Sequence, residues 1–281
     1  MPELAYLNGV FSSIADAKVS IEDRGFQFGD GVYEVVAAYN GRLFLLDRHV
    51  RRLRTSLDAI GLAFGFEANP LETIIAEGLR RCGFADAMIY IQITRGAAPR
   101  AHAIPQGIRP TVVMTFKPLP VVPDDLRRRG AHLMTTPETR WANCYVKAVT
   151  LLPNVLAKND AIRRGFDDAV FVSAAGEVRE CTSANIFMVR DRTFITPPLT
   201  ESILHGITQS FLRECATDIQ LKMIEESFDV EALRRADEAF MSSTVTEVLP
   251  VTRLDGRPIG DGSVGPCTRL LFNEFRVRSR S

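Results

Sequence analysis

The sequence predicts an α+β fold in two domains, and three observations carry this. Strand-like runs arrive in hairpins, first around Asn8-Gly9 and again around Asn40-Gly41, and do not alternate strictly with helices. That pattern favours segregated sheets over a doubly wound parallel one. The stretch "KPLPVVP" at 117–123 packs three prolines into seven residues. Proline suits neither a helix interior nor a sheet interior, so a linker is expected there. A length of 281 residues allows one large domain or two of ordinary size. The expected division is a smaller N-terminal α+β domain at 1–118, a linker at 119–123 and a larger C-terminal domain at 124–281.

Taken in order, "AYLNGVFSS" and "GVYEVVAAYNGRLFLL" are hairpins. Asp47 is the expected N-cap of a helix whose one face carries Val50, Leu53, Leu57 and Ile60, with Arg51, Arg52 and Arg54 off that face. A second helix runs from Pro70 in its first turn to Gly83 at its end. "AMIYIQITRG" and "TVVMTFKPLP" are strands. Beyond the linker come a helix in "NVLAKNDAIRRG" and a strand pair in "DAVFVSAAGEVRECTSANIFMV". A helix in "ESILHGITQSFLRECA", a strand in "LKMIEESF" and an Asp229-capped helix in "DVEALRRADEAF" follow. A turn at Asp255-Gly256 precedes a final helix from about Thr268.

Bulk properties exclude several functions. Formal net charge is zero, so no overall field draws the chain to nucleic acid or an anionic membrane. No apolar run approaches the ~18 residues of a membrane span, and "MPELAYLNG" has no signal-peptide pattern. The five cysteines are scattered without a C-x-x-C pair, as in a reduced, cytoplasmic protein. The four histidines show no metal-binding spacing, so no metal is expected. No dinucleotide, P-loop or nucleophile-elbow signature is present.

Several residues stand out against these exclusions. Lys147 interrupts the apolar run "CYVKAVTLLPN". It either points to water from the edge of an element or is a desolvated amine suited to Schiff-base chemistry. Glu180, among strand residues, either faces water or holds a protonated ring nitrogen. "RGAAPRAHAIP" offers Arg95, Arg100 and His102 in a loop, where an arginine can clamp a carboxylate bidentately or simply be solvated. "TPPLTESILHGIT" suits a phosphate at a helix N-terminus, or ordinary capping by Thr200 or Ser202. "FMSSTVTEV" supplies further hydroxyls for a phosphate, or for its own backbone. Together these are the parts of a pyridoxal phosphate site.

The strings "YLNG", "DRGFQFGDGVYEV", "LDRHVRRL", "KAVTLLPNVLAK", "ECTSANIF", "SILHGIT" and "SSTVTEV" run through nearly the whole chain in family order. On them the chain resembles the fold-type IV pyridoxal phosphate enzymes, the branched-chain and D-amino acid aminotransferases. The resemblance implies mixed sheets with a barrel-like C-terminal domain. It implies pyridoxal 5'-phosphate bound as a Schiff base by Lys147, not Lys158, with Glu180 on the pyridine nitrogen and Leu204 against the ring. Arg52, the N–H groups of Ile207 and Thr208, and Ser243 and Thr244 would hold the phosphate. Lys147 and Glu180 are expected from the larger domain. Tyr33, Arg100 and His102 match the carboxylate trap of the D-amino acid enzymes, an Arg-x-His pair not expected in branched-chain enzymes. The stretch after Glu180 departs from the family, with Cys181 and Ala184 where glycine or serine is common. The implied reaction is ping-pong transamination of D-alanine with 2-oxoglutarate to pyruvate and D-glutamate by a homodimer. A branched-chain L-aminotransferase, a lyase resembling aminodeoxychorismate lyase and a non-catalytic binder on the same scaffold are the alternatives.

Overall fold

The structure is a computed structural model and describes residues 3–281. The chain divides into two compact units, one running to Pro120 with Val146–Thr150 added, the other comprising Val121–Tyr145 and Leu151–Ser281.

The first unit contains β1 (Leu4–Leu7), β2 (Val10–Ser13), α1 (Arg24–Phe28), β3 (Gly31–Tyr39), β4 (Arg42–Leu43), α2 (Leu46–Ala59), α3 (Leu71–Cys82), β5 (Ala87–Thr94) and β6 (Thr111–Pro118). Its six-stranded sheet has the order β2-β1-β6-β5-β3-β4, and every pairing is antiparallel. Both Asn-Gly turns take the left-handed backbone that a tight hairpin requires, with φ of 46° and 100° at Asn8 and Gly9. Helix α2 buries Val50, Leu53 and Leu57, and α3 buries Leu71, Ile75 and Leu79. Two expected helix starts move. The residue before α2 is Leu45, in the left-handed region at φ 54°, because the chain leaves the short strand β4 almost directly into the helix. Asp47 is the second helical residue, in the first turn, where its charge still suits the helix dipole. Pro70 is the cap residue of α3 and not its first helical residue.

Strand β4 pairs only with the far end of β3, at Ala38 and Tyr39. The near end of β3 is thereby left an open edge, and residues 147–149 occupy it. Tyr33 N–H donates to the Lys147 carbonyl at 2.9 Å, and Val149 N–H donates to the Gly31 carbonyl at 3.1 Å. Lys147 therefore packs with the first unit, where the resemblance had placed it in the larger domain.

The second unit contains α4 (Asp124–Arg129), β7 (Ala131–Pro137), α5 (Leu152–Arg163), β8 (Asp168–Val172), β9 (Val178–Cys181), β10 (Asn185–Arg190), β11 (Thr193–Thr196), α6 (Ile207–Asp218), β12 (Met223–Glu225), α7 (Val230–Arg234), β13 (Glu238–Ser243), β14 (Glu247–Leu254), β15 (Arg257–Pro258) and α8 (Pro266–Arg280). Its nine-stranded sheet has the order β12-β11-β10-β13-β14-β7-β8-β9, with β15 beside β14. The pairs β7·β8, β7·β14 and β11·β12 are parallel, so the sheet is mixed. The terminal strand β9 turns back toward β10, Cys181 N–H donating to the Ala184 carbonyl at 2.8 Å. Leu133, Val170, Ile186, Met188, Met241 and Val251 form the core.

Three expectations change here. The stretch 168–190 holds three strands, not two. The helix expected from Glu201 begins only at Ile207, because Gly206 is extended (φ −67°, ψ 129°) and Leu204 N–H turns to a side chain instead. The helix expected over "DVEALRRADEAF" ends at Arg234, and a strand starts at Glu238, so the hydroxyl-rich turn at 243–246 links two strands.

Candidate active site

In the first unit Lys147 belongs to no helix or named strand. Its backbone N–H donates to Ser56 Oγ at 3.1 Å, and its Nζ stands 4.3 Å from the centroid of the Tyr33 ring. Backbone pairing to β3 and α2 thus aims a half-buried amine at an aromatic face. Tyr33 in turn stacks on Tyr90 at 5.6 Å.

The next residue of β3 is Glu34, with 0% exposure. Arg52 grips its carboxylate with both ends of the fork, Nε to Oε1 at 2.6 Å and Nη2 to Oε2 at 2.8 Å. His49 Nδ1 lies 2.8 Å from Oε2. Burial alone would raise the Glu34 carboxyl, but Arg52 and His49 bring it down to about 2. Burial pushes the His49 ring below its usual value despite the carboxylate beside it. Neither Glu34 nor His49 was marked from sequence. The available signal was an acid in the apolar strand "GVYEVVAAY", which reads equally as a solvent-facing residue.

Arg100 and His102 are exposed. Arg100 lies over the Phe28 ring at 4.5 Å, and the His102 ring meets Phe28 edge-on at 5.7 Å. Their side chains make no hydrogen bond among the described residues, and neither pairs with Tyr33.

In the second unit Glu180 is 5% exposed. Arg140 Nη1 donates to one carboxylate oxygen, and Leu204 N–H donates to the other at 3.2 Å. The Arg140 guanidinium is itself fixed by Glu138, through Nε at 3.0 Å and Nη2 at 2.5 Å, and covers the Phe171 ring at 4.4 Å. Burial works against that charge, yet Glu138 and Glu180 hold it well above its ordinary value. A carboxylate so paired is held in a fixed orientation. Arg140 was missed from sequence, since it lies 40 residues from Glu180. Lys158 is occupied elsewhere, donating to the Asp167 carbonyl at 2.6 Å and pairing with Asp168 at 3.1 Å.

Helix α6 has no side-chain cap, and Gly206 precedes it. Thr200 and Ser202 bond each other at 2.9 Å instead of capping it. The N–H groups of Ile207 and Thr208 have no intrahelical acceptor by helix geometry, and the dipole there favours an anion. Ser243 Oγ accepts from Thr246 N–H at 3.1 Å, so part of the hydroxyl turn satisfies its own backbone. Cys181 and Ala184 are both buried beside Glu180.

Residues 31–254 match the family described as "Amino-transferase class IV". This chain belongs to the class IV aminotransferases. Among curated relatives, the D-alanine aminotransferase of Staphylococcus epidermidis is 39% identical over 271 residues, covering 96% of this chain and 95% of that protein. The D-alanine aminotransferase of Bacillus licheniformis is 37% identical, over 93% and 92%. Among solved structures, the T.th. branched-chain amino acid aminotransferase with pyridoxamine 5'-phosphate superposes with a TM-score of 0.91 at 28% identity, over 99% of this chain and 95% of that one.

The residues of this class IV aminotransferase fit a pyridoxal phosphate. The second unit presents a buried, ion-paired carboxylate for a protonated ring nitrogen and an uncapped helix start for a phosphate. The buried Gln209 amide and Ser242 hydroxyl, which lie on α6 and β13, have no partner among the described residues. A Cβ at Gly206 would lie 2.0 Å from Asn185 Oδ1, so the helix start seats closely only with glycine there. The first unit presents a half-buried amine for the aldehyde.

Proposed function

We propose that this class IV aminotransferase acts on D-amino acids, moving the amino group of D-alanine to 2-oxoglutarate to give pyruvate and D-glutamate. The observation that carries this reading is the exposed Arg100–His102 pair, whose side chains make no hydrogen bond among the described residues. It is supported by identity to D-alanine aminotransferases along almost the full length. When bound, pyridoxal phosphate supplies an aldehyde for the amino group and a ring that accepts the electron pair left by Cα deprotonation. Lys147 Nζ removes and returns the Cα proton. Glu180, fixed in place by Arg140, would accept the pyridine N–H. Leu204 would pack on the ring. The N–H groups of Ile207 and Thr208, with Arg52, Ser243 and Thr244, would hold the phosphate. Tyr33, Arg100 and His102 bind the substrate carboxylate and so decide which face of Cα meets Lys147.

The same reading makes the active enzyme a homodimer in the cytoplasm. The exposed aliphatic face of α5 supports the first, and five free cysteines support the second. No helix among the described residues is long and apolar enough to cross a membrane. A branched-chain L-amino acid specificity is the second reading, favoured by the likeness to the T.th. enzyme.

The test is the visible absorption of the purified holoenzyme. D-Alanine is expected to bleach its yellow colour, and L-alanine and L-leucine to leave it. Bleaching by L-leucine instead moves the function to branched-chain substrates. A protein that takes up no pyridoxal phosphate removes the enzymatic reading altogether.

A further inference from the structure

Arg24 in α1 is only 4% exposed, yet its side chain bonds to no side chain assigned a role above. Its guanidinium is spent on backbone. Nη1 donates to the Ala101 carbonyl at 2.6 Å and reaches the Ala103 carbonyl at 3.5 Å, and Nη2 reaches the His102 carbonyl at 3.3 Å. Nε donates to Asp30 Oδ2 at 2.8 Å. Its own backbone N–H donates to the Gly96 carbonyl at 2.9 Å. Residues 101–103 form no strand or helix, so these contacts replace a ladder.

Asp30 is held from the other side. Arg95, 5% exposed, donates from Nε to Asp30 Oδ2 at 2.8 Å. The rest of the Arg95 fork ends on the carbonyls of Ile60 at 2.7 Å and Gly61 at 3.0 Å, just past α2. A buried relay thus runs from the end of α2 through Arg95, Asp30 and Arg24 to three successive carbonyls. Burying two guanidinium groups is costly without partners, and these have them. The Phe28 ring completes the support, with the Arg24 guanidinium 4.9 Å and the Arg100 guanidinium 4.5 Å from its centroid.

The clamped carbonyls belong to His102 and to its two neighbours, and Arg100 is the next residue. Clamping fixes the backbone from which both side chains spring and leaves their polar ends unspent. We propose that Arg24 is a positioning residue for the substrate carboxylate, acting through the Arg100–His102 loop with Asp30 and Arg95 as its anchor. This rests on the reading of Arg100 and His102 as carboxylate ligands. Only arginine has donors in a fixed fork that serve an aspartate and several carbonyls at once, so lysine is not a conservative replacement.

A double-mutant cycle on the holoenzyme tests it. Arg24→Lys is expected to raise KM for D-alanine about tenfold, the effect of one lost hydrogen bond to a charged group, with a smaller change in kcat. Inhibition by propionate, which offers a carboxylate and no amine, weakens by the same factor. In an R100A/H102A background the same Arg24→Lys change adds nothing to KM, because the loop it positions no longer binds. If Arg24→Lys fails to fold, Asp30→Asn carries the same cycle. Equal effects in both backgrounds overturn the proposal and reduce Arg24 to general support of the fold, and an unchanged KM in the otherwise wild-type enzyme overturns it outright. If R100A/H102A alone leaves KM for D-alanine unaltered, the carboxylate-ligand reading itself falls, a result separable from the failure of Arg24.

Discussion

Gly206 shows how little room the start of α6 leaves for a side chain. A Cβ there would meet Asn185 Oδ1 at 2.0 Å. Asn185 cannot easily yield, because its Nδ2 donates to the Leu204 carbonyl at 2.9 Å. The backbone at Gly206 is one alanine adopts freely, so Gly206→Ala acts by contact and not by strain. Overpacking of this kind costs about 1–3 kcal/mol, and about 1.4 kcal/mol is tenfold in affinity. Gly206→Ala is therefore expected to weaken pyridoxal phosphate binding at least about tenfold, read by titrating the apoenzyme. An unchanged dissociation constant would show that the α6 N-terminus does not hold the phosphate. At this scale the sequence singled out Lys147 and Glu180 because each stands out within one short string. It was silent on Arg140 and on the use of Glu34, because those pairings join residues 40 and 18 positions apart. Nothing local distinguishes a paired buried ion from a solvated one.

Between elements, the buried Glu34 on β3 and His49 with Arg52 on α2 make the first unit sensitive to acid. Glu34 falls from its usual 4.5 to about 2 in the folded chain, so the unfolded chain takes the proton first. Its stabilisation is full above about 4.5 and drains between there and about 2. His49 is lowered from 6.5, so below that value the unfolded chain again binds the extra proton and stability falls. Both effects destabilise in the same direction. His49→Gln keeps a hydrogen-bond donor for Glu34 but removes the titration. It is expected to cost about 1–2 kcal/mol at neutral pH and to flatten the loss of stability between about pH 7 and 5, measured by urea unfolding at each. An equally steep loss in the variant would place the acid sensitivity elsewhere. Elements were read best where the backbone demands particular residues, as in the Asn-Gly hairpins and the Gly83 end of α3. They were read worst at helix starts set by tertiary contacts. The β4–α2 junction puts Leu45, not Asp47, before the helix, and the pull of Glu180 on Leu204 N–H delays α6 to Ile207.

At the scale of the whole molecule, α5 carries its side chains the wrong way round for a single chain. Its buried residues are the small Ala157 and Ala161. Its larger aliphatics point outward, with Leu152 66%, Val155 57% and Leu156 59% exposed. Positions three and four apart are neighbours on a helix, so these form one patch and not scattered exposures. A second copy of the chain is the occupant that the dimer reading supplies. Covering side chains of this size contributes roughly 1.5–3 kcal/mol each, and a charge forced into the same interface reverses the sign. The wild-type enzyme is therefore expected to sediment at twice the mass of one chain. Val155→Glu with Leu156→Glu should give single chains with an unchanged far-ultraviolet circular dichroism spectrum, since neither residue supports the core of its own unit. A double variant that stays dimeric would move the interface away from α5. A wild type that sediments as one chain at every concentration would end the homodimer reading and leave this patch to a partner of another kind.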